Sequence, residues 1–226
     1  MVEKIERVST GIPGLDKLIE GGIPKGFTVL VTGGPGTGKT VSAVQFVDAA
    51  LRKGMKCVYI PLEERGEDVI KEAEQFDKWK DRKNLTVLPA KDVKYDEMGL
   101  GKKPIDNKER MKLVYEKVKK LVPDIVVIDS INPLKIENGA EARLILKMLI
   151  DKFKEMGITT MFVGESFNGP YPDETIPFLV DAIVILKKVS IGKRGERTIM
   201  VDKMRKTNVD LITSNMSFTK KGIVVG

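Results

Sequence analysis

The stretch Gly33-Gly34-Pro35-Gly36-Thr37-Gly38-Lys39-Thr40 constrains this chain more than any other. It follows an apolar run, Phe27 to Thr32, and opens into a helix-like segment beginning near Val41. It fits the phosphate-loop pattern G-x-x-x-x-G-K-[ST] without a gap. Glycines let the backbone curl around a polyphosphate, so that several N–H groups and a helix N-terminus point at the anion. Gly34, Pro35, Gly36, Thr37, Gly38, Lys39, Thr40 and Val41 are therefore the predicted nucleotide contacts. Lys39 is placed against the β and γ phosphates. The Thr40 hydroxyl is offered to Mg²⁺, a small hard cation that takes oxygen ligands. The bland reading, a Gly-rich turn joining strand to helix, leaves the lysine and threonine without a reason.

Such a loop needs a strand before it and a helix after it, and the rest of the chain keeps that cadence. Val44, Val47 and Leu51 recur at helical spacing up to about Lys53, and Gly54 is a helix stop. Cys57 to Leu62 reads as a strand, then a charged helix carries Val69, Ile70, Ala73 and Phe76 inward as far as about Lys78. Leu85 to Leu88 is a short strand. From Ala90 to Asn107 the composition turns to Lys, Asp and Gly without periodicity, which predicts a surface excursion. Met111, Val114, Val118 and Leu121 mark a helix ended by Pro123; Ile125 to Ile128 is a continuous apolar strand. A helix from about Glu141, with Ile145, Leu149, Phe153 and Met156 on one face, precedes a strand from Ile158 to Val163.

The tail changes character. Asp181–Val189 and Arg197–Arg205 read as a hairpin joined by Ser190 to Gly195, and Met216–Phe218 with Ile223–Val225 as another. Ahead of the loop, turn residues around Ile12 to Ile19 frame a short apolar helix. The predicted fold is α/β, one domain over residues 1–226: a mostly parallel central sheet between two helical layers, with antiparallel C-terminal strands.

Composition matters here for what it removes. There is no His, which excludes imidazole acid–base chemistry and His metal sites. The one cysteine, Cys57, lies in a predicted strand and offers no disulfide framework. No apolar run approaches the ~18 residues of a membrane span, so no membrane partner is expected and the cytoplasm is the predicted compartment. A net charge of +7 permits an anionic partner without requiring one.

Hydrolysis needs a group that orients or deprotonates water, and without His the candidates are carboxylates. Asp129 ends the apolar run Ile125–Ile128, the place from which a buried strand delivers a carboxylate to a Mg²⁺ shell. Glu63 and Glu64 end the strand after the first helix, and strand alternation should aim one of them at the nucleotide. Glu63 is the choice, with helix capping as the competing role for both. Glu165, at the tip of another strand, is a candidate γ-phosphate sensor. Lys203 and Arg205 lie two apart on a strand and share a face, a pair suited to a phosphate on a neighbouring subunit.

Together these pieces resemble the KaiC-like branch of the RecA and RadA ATPase superfamily over nearly the whole chain. The lead-in Thr10-Gly11-Ile12-Pro13-Gly14-Leu15-Asp16 with Gly21-Gly22-Ile23-Pro24, directly before the phosphate loop, is similar to that family's N-terminal signature. The resemblance implies a RecA-like P-loop fold. It also implies paired catalytic glutamates at Glu63 and Glu64, a Walker B aspartate at Asp129, and a Lys-x-Arg element at Lys203-Met204-Arg205. In ring-forming relatives that element reaches the next subunit's nucleotide, so a homo-oligomer, up to a hexamer, is expected. The clock protein's phosphoacceptor pair would fall near Pro177-Phe178, which carry no hydroxyl, so autokinase activity is not expected. After Arg205 the chain has Lys206, Thr207, Asn208 and Val209, where relatives often continue with Gly, Thr and His.

The expected function is slow, Mg²⁺-dependent ATP hydrolysis, regulatory or linked to DNA metabolism. Two alternatives stay open. One is an accessory factor like the archaeal RadA paralogues that binds single-stranded DNA, with Lys187, Lys188, Lys193 and Arg194 as a basic surface. The acidic Asp173 and Glu174 argue against DNA on the aromatic stretch of Phe167, Tyr171 and Phe178. The other is a nucleotide-gated scaffold for a protein partner.

Overall fold

The apolar runs become strands because each is covered on both faces. In the computed structural model, which describes residues 5–88, 107–132, 139–167, 169–191 and 194–226, nine strands form one sheet. Its strands are β3 (Thr28–Gly33), β4 (Cys57–Pro61), β5 (Leu85–Val87), β6 (Ile125–Asp129), β7 (Thr159–Glu165), β8 (Ala182–Ile191), β9 (Arg194–Met204), β10 (Thr213–Thr219) and β11 (Gly222–Val225), in the order β11-β10-β9-β8-β3-β7-β6-β4-β5. From β8 to β5 neighbouring strands run parallel, and β9, β10 and β11 add antiparallel pairs.

Alternation divides each buried strand between two cores. Val29 and Val31, Cys57 and Tyr59, Ile125 and Val127, and Met161 and Val163 pack on the side of helix α2 (Lys39–Arg52) and helix α3 (Gly66–Gln75). Leu30, Val58, Ile60, Val126, Ile128 and Phe162 pack on the side of helices α4 (Asn107–Leu121) and α5 (Gly139–Glu155). Most periodic residues sit as expected: Val44, Val47, Met111, Val114, Val118, Leu149 and Phe153 are buried, and Leu51, Ile145 and Met156 pack partly buried against the cores. Leu121, at the end of α4, is exposed instead.

Several sequence-based boundaries shift. Helix α2 begins at Lys39 rather than near Val41, so the motif's lysine and threonine form its first turn. Helix α3 ends at Gln75, and the chain turns so that Trp79 is buried with its indole N–H donating to the Val44 carbonyl at 3.0 Å. The first tail hairpin is longer than expected, because β8 runs on to Ile191 and β9 starts at Arg194. The lead-in helix α1 is four residues, Leu15–Leu18, and it is framed by a two-stranded ribbon, β1 (Arg7–Val8) against β2 (Ile23–Pro24), which periodicity over two residues cannot reveal. Beyond β7 a last short helix, α6, covers Ile176–Leu179, where the phosphoacceptor pair would fall. The surface excursion expected over 90–107 lies outside the described residues except for its last position, and so does Lys193.

Candidate nucleotide site

Sheet register assembles the site. Gly33, the last residue of β3, pairs with Glu165 on β7; Asp129 on β6 pairs with Val163 on β7 and with Pro61 on β4. β4 and β6 end together, two residues short of β3 and β7, and the segments that leave these four adjacent strands border a shared cleft. The cleft holds about 200 Å³ and is lined by Pro35, Gly36, Lys39, Thr40, Pro61, Glu63, Glu64, Val69, Asp129, Ser130 and Glu165. This is the carboxyl edge of an open α/β sheet, the edge at which such sheets bind their ligands.

The loop is already curled. Gly36 and Gly38 lie in the left-handed region, at φ 65° and 106°, which glycine adopts without strain. At Gly38 space makes the same demand, because a β-carbon there would stand 2.5 Å from the Phe218 ring. The Thr37 hydroxyl donates to the Gly34 carbonyl at 2.9 Å and the Lys39 ammonium donates to the same oxygen at 2.9 Å, with the Glu165 carboxylate 3.9 Å from the ammonium. Burial pulls the Lys39 pKa below its usual value, opposed by Glu165, Asp129 and Glu63.

Asp129 sits at the cleft floor. Its Oδ2 accepts from the Tyr59 hydroxyl at 2.5 Å, and Thr40 lines the same cleft. Burial pushes its pKa up to about 6, assisted by Glu64 and Glu63 and opposed by the Tyr59 and Thr40 hydroxyls. Burial, with Asp129 beside it, also holds the Tyr59 hydroxyl well above its ordinary pKa. No cluster of three carboxylates among the described residues is set to hold a metal by itself. The Thr40 hydroxyl and the buried Asp129 carboxylate at the cleft floor are nonetheless oxygen donors of the kind a small hard divalent cation takes.

Strand alternation does not choose between Glu63 and Glu64, because β4 stops at Pro61 and both residues come after it in a bend. Both line the cleft. They differ in what holds them: Glu63 Oε2 accepts from the Ser130 hydroxyl at 2.5 Å. Glu165 is gripped by its backbone, its N–H donating to Asn132 Oδ1 at 2.7 Å and its carbonyl accepting from Asn132 Nδ2 at 2.8 Å. Sequence reasoning missed Ser130 and Asn132. Their position directly after Asp129 was the available signal.

Lys203 and Arg205 are not brought into this cleft. Lys203 pairs with Ile183, three residues before the Leu186 that flanks Gly33, so it stands about 10 Å toward the other edge of the sheet. Both side chains turn to the segment 177–181. A register shift lies between Ile183 and Val184, and β9 ends at Met204. The Lys203 ammonium donates to the carbonyls of Pro177 (2.9 Å) and Val180 (2.7 Å), and Arg205 pairs with Asp181 at 3.2 Å. In the aromatic stretch, where Asp173 and Glu174 argue against DNA, Phe167 and Phe178 are exposed, while the Tyr171 hydroxyl donates to Asp202 at 2.8 Å.

Sheet order, loop and cleft define a RecA-type P-loop nucleotide-binding domain. The sequence pattern of the family described as "ATPase: KaiC" matches residues 8–226. The chain belongs to this KaiC ATPase family. It is 33% identical to a UPF0273 protein of Methanopyrus kandleri, over 98% of this chain and 92% of that one. It is likewise 33% identical to a UPF0273 protein of Thermotoga maritima, over 98% and 96%. Among solved structures it is similar to a KaiC-like protein of the hyperthermophilic archaeon Pyrococcus horikoshii OT3. That match has a TM-score of 0.83 and 30% identity, covering 99% of this chain and 100% of that one. No helix among the described residues is long and apolar enough to cross a membrane.

Proposed function

We propose that the chain hydrolyses ATP to ADP and phosphate in the cleft at the carboxyl edge of the sheet, and that turnover by the isolated chain is slow. The observation that carries the reading is the register that places the loop, Asp129, the two glutamates and Glu165 around one 200 Å³ space. Lys39 and the loop N–H groups bind the β and γ phosphates, and the phosphate replaces the Gly34 carbonyl that Lys39 now holds. Mg²⁺, when bound, would be held by the Thr40 hydroxyl and, through water, by Asp129, and it supplies neutralisation of phosphate charge. Glu63, steadied by Ser130 on one oxygen, has the other oxygen to orient the attacking water and accept its proton. Glu165 sits where a γ-phosphate would meet Lys39, and Asn132 links it to the Asp129–Ser130 segment.

The trans role for Lys203 and Arg205 belongs to the same reading. They stand off the chain's own loop, so a phosphate they reach must lie on a neighbouring copy. The decisive test is steady-state ATP hydrolysis with Mg²⁺. Lys39→Ala should lose at least 10²-fold in turnover, and equal turnover by this variant and the unmodified chain would refute the reading.

A further inference from the structure

A loop with glycines at 33, 34, 36 and 38 is flexible by composition, and flexibility works against binding. Each backbone unit that has to be ordered on binding costs conformational entropy. A loop that binds well is therefore held from outside, where its carbonyls point, while its N–H groups face the anion. Gly36 is the exposed tip of this loop, and its carbonyl oxygen is the end of the peptide whose other end is the Thr37 N–H.

Two residues from the antiparallel tail reach this tip. Arg197, on β9, donates from Nε to the Gly36 carbonyl at 3.4 Å. Its guanidinium lies over the Phe218 ring, 4.7 Å from the centroid. Phe218, on β10, in turn fills the space behind Gly38, where its Cζ lies 2.5 Å from the position a β-carbon would occupy, and it leans on Phe76 with centroids 6.4 Å apart. Arg197 is set opposite Met216 on β10 and Lys188 on β8 by strand pairing, so its place does not depend on the loop. The Lys188 ammonium stands beside Gly36 as well, 2.7 Å from where its β-carbon would be.

We propose that Arg197 and Phe218 form a brace that holds the phosphate loop in its anion-ready shape, making Arg197 a positioning residue for the triphosphate. The cation fixes the 36–37 peptide by its carbonyl, which turns the Thr37 N–H inward and polarises it as a donor. The ring blocks collapse of the chain at Gly38, and stacking keeps the guanidinium plane aimed at Gly36. This brace rests on the nucleotide reading above but does not depend on the base.

The test uses the full chain and a ligand without a base: calorimetric binding of tripolyphosphate with Mg²⁺, beside ATP and GTP. Arg197→Ala should weaken all three by the same factor, about tenfold, and raise KM for ATP while kcat stays within about twofold. Arg197→Lys, which keeps donor and charge but not the planar face, should recover part of the loss. Phe218→Leu, which keeps apolar bulk but not the stack, should lose less than Arg197→Ala. Tripolyphosphate binding by Arg197→Ala equal to the unmodified chain, with ATP alone weakened, would overturn the brace and assign Arg197 to the base. Should Arg197→Ala not fold, Arg197→Gln carries the same comparison. If the unmodified chain binds neither ATP nor tripolyphosphate, the nucleotide reading itself fails, a different result from failure of the brace.

Discussion

The two edges of the sheet handle charge in opposite ways. At the carboxyl edge, Glu63, Glu64, Asp129 and Glu165 gather in one cleft with Lys39, whose nearest carboxylate oxygen is 3.9 Å away. At the amino edge, buried Asp181 is saturated: it takes Lys154 at 2.7 Å, Arg205 at 3.2 Å and the Thr28 N–H at 3.0 Å. Nearby, Lys203 is spent on two carbonyls. Burying a charge without partners is expensive, and the chain avoids that expense at one edge but accepts it at the other. The carboxyl edge is arranged for ligands that bring the missing positive charge and take up the lysine, while the amino edge is complete within the chain.

That contrast is most sharply tested by removing the centre of the satisfied edge. Asp181→Ala strands the Thr28 N–H inside the sheet and releases two cations, and it should lower unfolding free energy by about 3 kcal/mol. Nucleotide affinity should remain within about twofold. Denaturant melts beside calorimetry check this, and a large loss of affinity with unchanged stability would dissolve the distinction between the edges. Next in size, Glu63→Gln should lower turnover about 100-fold with ATP affinity retained. The same change at Glu64 should cost less, because Ser130 orients only Glu63. Single-turnover assays separate the two.

An effect of opposite sign falls at the open edge. Asp129 rises from 3.8 to about 6 on folding, so the folded state is penalised as pH climbs through that window and fully penalised above pH 6. Well below pH 3.8 the carboxyl is protonated in both states and the penalty is gone. Without nucleotide and with metal chelated, Asp129→Asn should therefore raise stability by roughly 3 kcal/mol at pH 8 and by almost nothing near pH 2.5, one pKa unit being about 1.4 kcal/mol. Melts at the two pH values decide it. Smallest is Arg205→Ala, which breaks a half-exposed ion pair and should change stability by less than about 1 kcal/mol. If Arg205 serves a neighbour, turnover per chain should then lose its dependence on protein concentration.

How much of this was legible in the sequence obeys the same division. Strands β3, β4, β6 and β7 announced themselves because parallel strands covered on both faces read as unbroken apolar runs. Asp129 stood out because a carboxylate at the end of such a run has few other reasons to be there. The loop was legible because its glycines answer to local backbone geometry. What stayed hidden depends on partners distant in sequence. Arg197 meets Gly36 across 161 positions and Lys203 finds its carbonyls 23 and 26 positions away, and nothing adjacent to either residue records those encounters. Alternation cannot choose between Glu63 and Glu64, because the strand ends at Pro61, before either of them. Ribbon β1–β2 escaped because two residues per strand hold no period.

The central claim is that the carboxyl edge is completed by a Mg²⁺-bound nucleoside triphosphate held by Lys39. Scanning calorimetry of the unmodified chain and of Lys39→Ala, each alone, with ATP plus chelator, and with ATP plus Mg²⁺, tests it most directly. A ligand that binds only the folded state raises the melting temperature in proportion to the logarithm of its concentration. The unmodified chain should show that rise, largest with Mg²⁺ present, and Lys39→Ala should show almost none. An equal rise in both proteins, or no rise in the unmodified chain, would contradict it.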